Sequence, residues 1–271
     1  RAVWSLGVRG HSHLGGAAGA GLRAPHRAQR PLLCGLSVLR LVLGAICAFC
    51  ASVGCGKSSG ASDSDALSFS HDGKAIASFT RKQLTDVIPV ETVTMVDPYY
   101  NKKKTFRALP LKKVLEVGFA GSGLSLDREE YVLRAKDGYT VPFRASRLLE
   151  DGAYVAIEDV DAPGWEPIGN QKANPGPFYV VWSKPEQQNL ETHARPWQLA
   201  TIEIAPFDKV FPHTSPGALA AGSPAIAGYA TFRDQCVQCH AINREGGRVG
   251  PELNVPQNVL EYRPEAQVRA Y

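Results

Sequence analysis

The chain reads Cys236-Val237-Gln238-Cys239-His240 near the end of its 271 residues. Two cysteines separated by two residues and followed directly by a histidine are typical of covalent haem attachment. This spacing lets both thiols reach vinyl groups on the same edge of one haem, and it places the histidine beneath the iron. The sequence therefore predicts one haem c, with Cys236 and Cys239 as its thioether links and His240 as an axial ligand of the iron.

Other uses of a Cys-x-x-Cys pair fit the surrounding sequence less well. A structural zinc site would need a second pair of cysteine or histidine ligands, and none follows the motif. A thioredoxin-like redox pair would lie in a βαβ unit, and the flanking pattern does not indicate one. The sequence favours haem over both of these alternatives.

The segments on either side of the motif resemble the class I cytochrome c family. Residues 227–235 carry small and aromatic residues at helical spacing and lead into the motif, and Gly250-Pro251-Glu252-Leu253-Asn254 begins ten residues after His240. The resemblance covers roughly Pro224 to Tyr271. It implies an all-α domain whose first helix ends in the motif.

The same resemblance implies roles for three further residues. The carbonyl of Pro251 would accept a hydrogen bond from the proximal histidine, which fixes the orientation of the ring and raises its basicity as a ligand. Gly228 and Phe232 match the face of the first helix that packs on the family's C-terminal helix.

The sixth position of the iron has no obvious ligand in this sequence. The family supplies a distal methionine well downstream of the motif, whereas the only methionine here is Met95. His193 and His213 lie nearer in sequence, but a lone histidine in a loop is more often a surface residue than a ligand. We therefore expect a cytochrome domain over residues 224–271 that is cut short at its C-terminus.

Charge gives no indication of a nucleic-acid partner. The formal net charge is +4, but residues 1–54 contain six arginines and no acidic residue, which leaves 24 basic and 26 acidic residues in the remainder. The basic residues after position 55 are dispersed, apart from Lys102-Lys103-Lys104, for which we expect a solvated hairpin tip.

The first 54 residues have the pattern of a leader. Residues 1–30 show no hydrophobic period and are excluded from the fold argument. Leu41 to Cys50 form an apolar core that is too short for a membrane span of about 20 residues. Small residues then precede Cys55, in a pattern that resembles a bacterial lipobox and implies a lipid-modified cysteine; an ordinary signal peptide is the alternative. Residues 55–65 are expected to form a flexible tether.

Residues 66–207, called the middle domain below, show alternating strand and helix signals. A capping box at Thr80 predicts a short helix from Arg81 to Val87. Alternating residues predict a hairpin of Glu91–Val96 with Lys104–Leu109, and Asp137-Gly138 predicts a second hairpin turn. Residues 208–223 are rich in proline and small residues and are expected to form a linker.

Three segments of the middle domain resemble the oxidoreductase molybdopterin-binding domain of the sulfite oxidase type: Arg107 to Leu115, Asp137-Gly138-Tyr139, and Trp197 to Ile204. The resemblance implies a β-rich, mixed α+β fold. That family holds molybdenum through a cysteine thiolate, and this chain has no cysteine between Cys55 and Cys236. We therefore expect a relative of the fold without the molybdenum cofactor.

Side chains of the middle domain suggest two further features. Four arginines are candidates for an anion pocket, although scattered surface arginines are the simpler reading: Arg134, Arg144, Arg147 and Arg195. Three tryptophans are expected in the core or in the wall of a pocket: Trp165, Trp182 and Trp197.

These observations favour an electron-transfer protein over an enzyme. We expect a multidomain, extracytoplasmic lipoprotein of a bacterial periplasm, anchored to the membrane through Cys55 and carrying single electrons on its haem. Its partners would be other redox proteins, such as a cytochrome, a dehydrogenase or a terminal reductase. Two alternatives stay open: a molybdenum oxidoreductase with its own haem acceptor, and a haem-based sensor with an open sixth position.

Overall fold

The computed structural model describes residues 65–270. The predicted leader, Cys55 and residues 56–64 of the predicted tether lie outside the described residues. In chain order, the described part begins with β1 (Ala66–His71), β2 (Lys74–Thr80), α1 (Arg81–Val87), β3 (Glu91–Asp97), β4 (Lys102–Pro110), α2 (Leu111–Gly118), β5 (Glu130–Ala135), β6 (Thr140–Arg144), α3 (Ala145–Leu148), β7 (Ala153–Asp159), β8 (Tyr179–Trp182), a 3₁₀ turn (Pro185–Gln187), β9 (Leu199–Ile204) and α4 (Phe207–Val210).

The strands of the middle domain form two sheets. The first has the order β2-β1-β9-β5-β6, and its strands are antiparallel except for the parallel pair β1–β9. The second has the order β3-β4-β7-β8 and is antiparallel throughout. The described chain is therefore β-rich with mixed α and β content, as the sequence predicts.

The second sheet is apolar on both faces. Along β8, Val180 and Trp182 enter the main core, which also contains residues of the first sheet and of α2. Tyr179 and Val181 point to the opposite face and enter a second core, against which Trp197 packs. The period-2 alternation of strand side chains separates the two sets, so this continuous run of apolar residues is buried on both sides.

Local sequence signals are confirmed where they specify caps and turns. Thr80 caps α1: its hydroxyl accepts from the Gln83 amide at 3.3 Å, and the Gln83 side chain accepts from the Thr80 amide at 2.8 Å. The hairpin β3–β4 has the predicted pairing. In the β5–β6 hairpin, Gly138 adopts a φ of +88° and its amide donates to the Ala135 carbonyl at 3.1 Å.

The lysine cluster is not simply a solvated hairpin tip. Lys104 is fully buried, and its ammonium group lies 2.8 Å from Asp159 and 2.9 Å from Glu166. Lys102 and Lys103 are exposed. The expectation fails at Lys104 because β4 continues through the cluster and turns this side chain inward, where carboxylates from the region of β7 receive it.

The C-terminal segment is short-helical with one small hairpin. It contains α5 (Pro224–Thr231), a π-helical turn (Phe232–Cys236), β10 (Ala241–Ile242), β11 (Glu245–Gly246), α6 (Val259–Tyr262) and α7 (Glu265–Arg269). Phe207, at the end of the middle domain, and Phe211, in the predicted linker, pack with Phe232 and Val237 in a small apolar cluster. None of the helices within residues 65–270 is long and apolar enough to cross a bilayer.

Candidate haem-attachment site

A widened helical turn leads into the motif. Ser223 caps α5, and Pro224 occupies its first turn. At Phe232 the helix continues as a π turn, in which the Val237 amide donates to the Phe232 carbonyl at 2.9 Å. A π turn inserts one extra residue into a helix, and such turns occur frequently at functional sites.

The motif itself forms one compact turn. The amides of Cys239 and His240 both donate to the Cys236 carbonyl, at 3.0 and 2.8 Å. Both cysteines are free thiols of intermediate exposure. The two thiols and the imidazole that the sequence singles out therefore project from a single turn of backbone.

The electrostatics of the thiols are unlike those of a redox-active pair. Burial raises the pKa of Cys236 and of Cys239, and the nearby carboxylate of Glu191 raises both further. Thiols that exchange disulfides instead have a lowered pKa, because the thiolate is the nucleophile. Both cysteines are therefore held in the protonated form at neutral pH, which is unlike the state of a thiol-exchange pair.

The ring of His240 is fixed from two sides. Its Nδ1 lies 2.8 Å from the carbonyl oxygen of Pro251. A Cβ added at Gly250 would lie 2.4 Å from Cε1 of the ring, so any other residue here would displace the ring or the loop. Because Nδ1–H donates to the carbonyl, Nε2 carries the free lone pair. Nε2 has no hydrogen-bond partner among residues 65–270.

Backbone bonds hold the returning chain against the motif. The Gly247 amide donates to the Val237 carbonyl at 2.7 Å, and the Gly250 amide donates to the Cys239 carbonyl at 2.8 Å. A Cβ at Gly247 would meet the Gln238 carbonyl oxygen at 2.3 Å. This close approach of the two chain segments brings the Pro251 carbonyl next to the imidazole.

The Glu252 carboxylate organises the loop that follows Pro251. It accepts from the backbone amides of Asn243, Arg244 and Asn254 at 3.1, 2.7 and 2.8 Å, and from that of Val255 at 3.2 Å. Burial acts to raise its pKa, but these four donors outweigh burial and hold the pKa below its ordinary value. Sequence reasoning missed this residue, whose only signal is its position directly after Pro251.

The residues present fit a haem c. Two free thiols and an unpaired imidazole nitrogen lie on one turn, and the ligand histidine is oriented by a carbonyl. Apolar side chains surround the turn, among them the buried Phe232 and Val237 and the half-buried Leu253. No group of three or more His, Cys, Asp or Glu side chains arranged to hold a bare metal ion occurs in the described part of the chain.

The other residues considered as iron ligands are engaged elsewhere. His193 is only 5% exposed, and its Nε2 lies 2.7 Å from an Arg147 nitrogen and 3.2 Å from a Glu150 oxygen. His213 pairs with Glu245. Met95 is buried in the second core.

The four candidate arginines are all engaged in ion pairs. Each pairs with a different carboxylate: Arg134 with Glu203, Arg144 with Asp234, Arg147 with Glu150, and Arg195 with Asp97. Each arginine is thus offset by a carboxylate, and of the four only Arg144 and Arg147 line the same cavity, so the structure does not bring all four together. The simpler reading of separate arginines holds, although Arg195 is buried rather than on the surface.

Gln238 is a second residue that the sequence did not single out. It is 6% exposed, and its side chain contacts the middle domain. The positions between the two cysteines carry no haem chemistry, so nothing in the motif indicates that one of them is a buried contact.

No protein-family model matches the chain, and no curated protein matches it. The resemblances to known families therefore rest on the residues quoted above.

Proposed function

We propose that this protein is a c-type cytochrome that carries single electrons on one covalently bound haem. Cys236 and Cys239 would hold the haem as thioethers, and His240 would bind its iron through Nε2. When bound, this group supplies a one-electron Fe(III)/Fe(II) couple whose potential depends on axial ligands, burial and hydrogen bonding. The chain's own residues attach the haem, orient the imidazole and exclude water.

One observation carries the proposal: the 2.8 Å contact between His240 Nδ1 and the Pro251 carbonyl. It leaves Nε2 as the free lone pair on the turn that also bears both thiols. A hydrogen-bond acceptor behind a ligand histidine raises its basicity and fixes its tautomer. A thiol-exchange pair does not require this arrangement.

We further propose that residues 224–271 correspond to part of a cytochrome c domain that is all-α apart from the short β10–β11 hairpin. The middle domain would be a relative of the sulfite-oxidase-type domain without its molybdenum cofactor. The β3–β4 hairpin, helix α2, the Asp137-Gly138 hairpin and strand β9 occur in the order that this resemblance implies, which supports the proposal. The middle domain then serves as a scaffold rather than as a catalytic unit.

The leader supports an extracytoplasmic location. We propose that Cys55 is the lipidated residue of a bacterial periplasmic lipoprotein. Haem attachment to a Cys-x-x-Cys-His motif also takes place after export, so both features of the sequence agree. The anchor would hold the haem near membrane redox partners such as a cytochrome, a dehydrogenase or a terminal reductase.

A redox titration of the full chain tests this function. The protein is exported with cytochrome c maturation, and its visible spectrum is followed against potential. We expect one reversible transition with a slope of about 59 mV per tenfold change in the ferric-to-ferrous ratio, as a one-electron couple requires. A chain that shows no reversible haem transition contradicts the proposal.

A matched pair of histidine variants identifies the ligand. His240→Ala is expected to change the ferric spectrum, because it removes the proposed iron ligand. His213→Ala is the control, since that side chain pairs with Glu245. Identical spectra for the two variants would remove His240 from the role of ligand.

A further inference from the structure

The attachment loop, residues 236–240, is fastened to the middle domain by a buried side chain. Gln238 Nε2 donates to the carbonyls of Glu191 at 3.0 Å and Leu190 at 3.4 Å. Its Oε1 accepts from the Tyr139 hydroxyl at 3.4 Å. Because the amide is buried, loss of its partners would leave polar groups unsatisfied, which gives these contacts weight in positioning the loop.

Two ion pairs flank this contact. Arg144 of β6 binds Asp234 at 3.0 Å, and Arg233 binds Glu130 of β5. The guanidinium of Arg233 also lies 4.7 Å from the centre of the Phe207 ring. The Arg144–Asp234 pair is about half exposed and contributes little to stability on its own. The two ion pairs therefore help to orient the attachment loop, while the buried Gln238 side chain anchors it.

Tyr139 of the middle domain contacts the attachment loop through its hydroxyl, which donates to Gln238, and Tyr99 and Trp197 form an aromatic pair of the same domain. Tyr139 follows the turn of the β5–β6 hairpin, Tyr99 lies in the β3–β4 turn, and Trp197 precedes β9. The rings of Tyr99 and Trp197 meet edge to face, with centroids 4.9 Å apart. Burial raises the pKa of both tyrosines, and their proximity to the Cys239 sulfur raises it further.

We propose that Tyr99, Tyr139 and Trp197 form an aromatic wall of the haem pocket that the middle domain supplies, and that Gln238 is the positioning residue that holds the attachment loop against this wall. The inference rests on the proposed function. A thioether at Cys239 would place the edge of the haem beside this residue. Flat aromatic rings suit an apolar macrocycle, and they exclude water from it.

The wall has a consequence for the reduction potential. The ferric haem carries one more positive charge than the ferrous haem, and water stabilises the more highly charged form. Excluding water therefore favours the ferrous state and raises the potential. Opening the wall is expected to lower the midpoint potential.

The first test compares potentials of haem-loaded full-length variants. Trp197→Leu removes a wall ring, whereas the control Trp165→Leu removes a ring of the same type whose aromatic partner is Phe106. We expect the wall variant to shift the ferric-to-ferrous equilibrium about tenfold relative to the control, which is about 59 mV to lower potential. Equal potentials in two fully loaded variants would refute the wall and leave the proposed function intact.

A second comparison isolates the positioning residue. Gln238→Ala removes the buried amide, and Gln235→Ala is the control because Gln235 is an exposed residue in the preceding π turn. We expect only Gln238→Ala to lower the potential. A potential that is unchanged in both variants would show that Gln238 does not position the loop.

A third measurement needs no destabilising substitution. In the loaded protein, the indole N–H signal of Trp197 is followed by NMR in the ferric and ferrous states, with Trp197→Phe used only for assignment. The paramagnetic iron should shift or broaden this signal more than those of Trp165 and Trp182. A smaller effect at Trp197 than at both of the others would overturn the proposal. If the wild-type chain holds no haem at all, the proposed function fails instead.

Discussion

At the scale of single residues, the loop around His240 depends on side chains that accept backbone hydrogens. The Pro251 carbonyl receives the imidazole, and the Glu252 carboxylate receives four amides of the surrounding chain. The motif could be anticipated from its spacing, and the Pro251 contact from the resemblance to the class I cytochrome c family. The roles of Glu252 and Gln238 could not be anticipated, because their partners include backbone groups that only the folded chain brings near.

Glu252→Gln is expected to destabilise the loaded protein by about 1–3 kcal/mol, because backbone donors lose a charged acceptor. Chemical denaturation measures this loss. Glu261→Gln is the control, since Glu261 is exposed. An equal effect of both variants would show that the carboxylate of Glu252 has no special role.

Acid should weaken the same loop. The pKa of Glu252 is lower in the folded chain than in an unfolded one, where it is about 4.3. Its contribution to stability is thus fully present above that unfolded value and is lost as the pH falls through the folded pKa. Glu252→Gln should therefore lose less stability than the wild type between neutral pH and acid. A parallel decline of both proteins would contradict this assignment.

Gly250→Ala tests the close passage beneath the imidazole. The added Cβ would lie 2.4 Å from the His240 ring, so the ring must move or the loop must open. We expect a changed ferric spectrum and reduced haem retention. Gly121→Ala is the comparison, because Gly121 has open space and a φ of +74°; it should lower stability without changing the spectrum. An unchanged spectrum of Gly250→Ala would contradict the proposed close packing of Gly250 against the His240 ring.

At the scale of elements, local signals predicted more than long-range pairings did. The capping box of α1 and the Asp137-Gly138 turn lie within a few residues and were correctly predicted. The parallel pairing of β1 with β9 joins residues more than 120 positions apart, and no local pattern encodes it. The burial of Lys104 has the same origin, since its carboxylate partners come from a distant part of the chain.

Asp159→Ala is expected to cost about 3–5 kcal/mol, because it takes one partner away from a buried ammonium group. Glu158→Ala is the matched control: it is the preceding residue of β7, and its side chain is 56% exposed. Thermal or denaturant unfolding measures both. A small loss at Asp159 would show that Glu166 alone satisfies Lys104.

At the scale of the whole molecule, the proposed protein combines a lipid anchor, a middle domain that serves as a scaffold, and a haem site. The sequence has no cysteine between Cys55 and Cys236 to bind molybdenum. Metal analysis of the exported protein should therefore find iron at one atom per chain and no stoichiometric molybdenum. Stoichiometric molybdenum would favour the oxidoreductase alternative.

Cys55→Ser tests the anchor. We expect the wild type to fractionate with membranes and the variant to be released, because a serine cannot carry the thioether-linked lipid. Cys50→Ser, five residues earlier in the predicted leader, is the control. Equal membrane association of all three proteins would favour an ordinary signal peptide over a lipid anchor.

Covalent attachment is the central claim, and a pyridine haemochrome spectrum after acid-acetone extraction tests it most directly. The exported, matured full chain should retain its haem and give a c-type spectrum. The double variant Cys236→Ser/Cys239→Ser should lose haem to the solvent, while Cys55→Ser should keep it. Haem that is extracted from the wild type, or that remains bound to the double variant, would contradict the account.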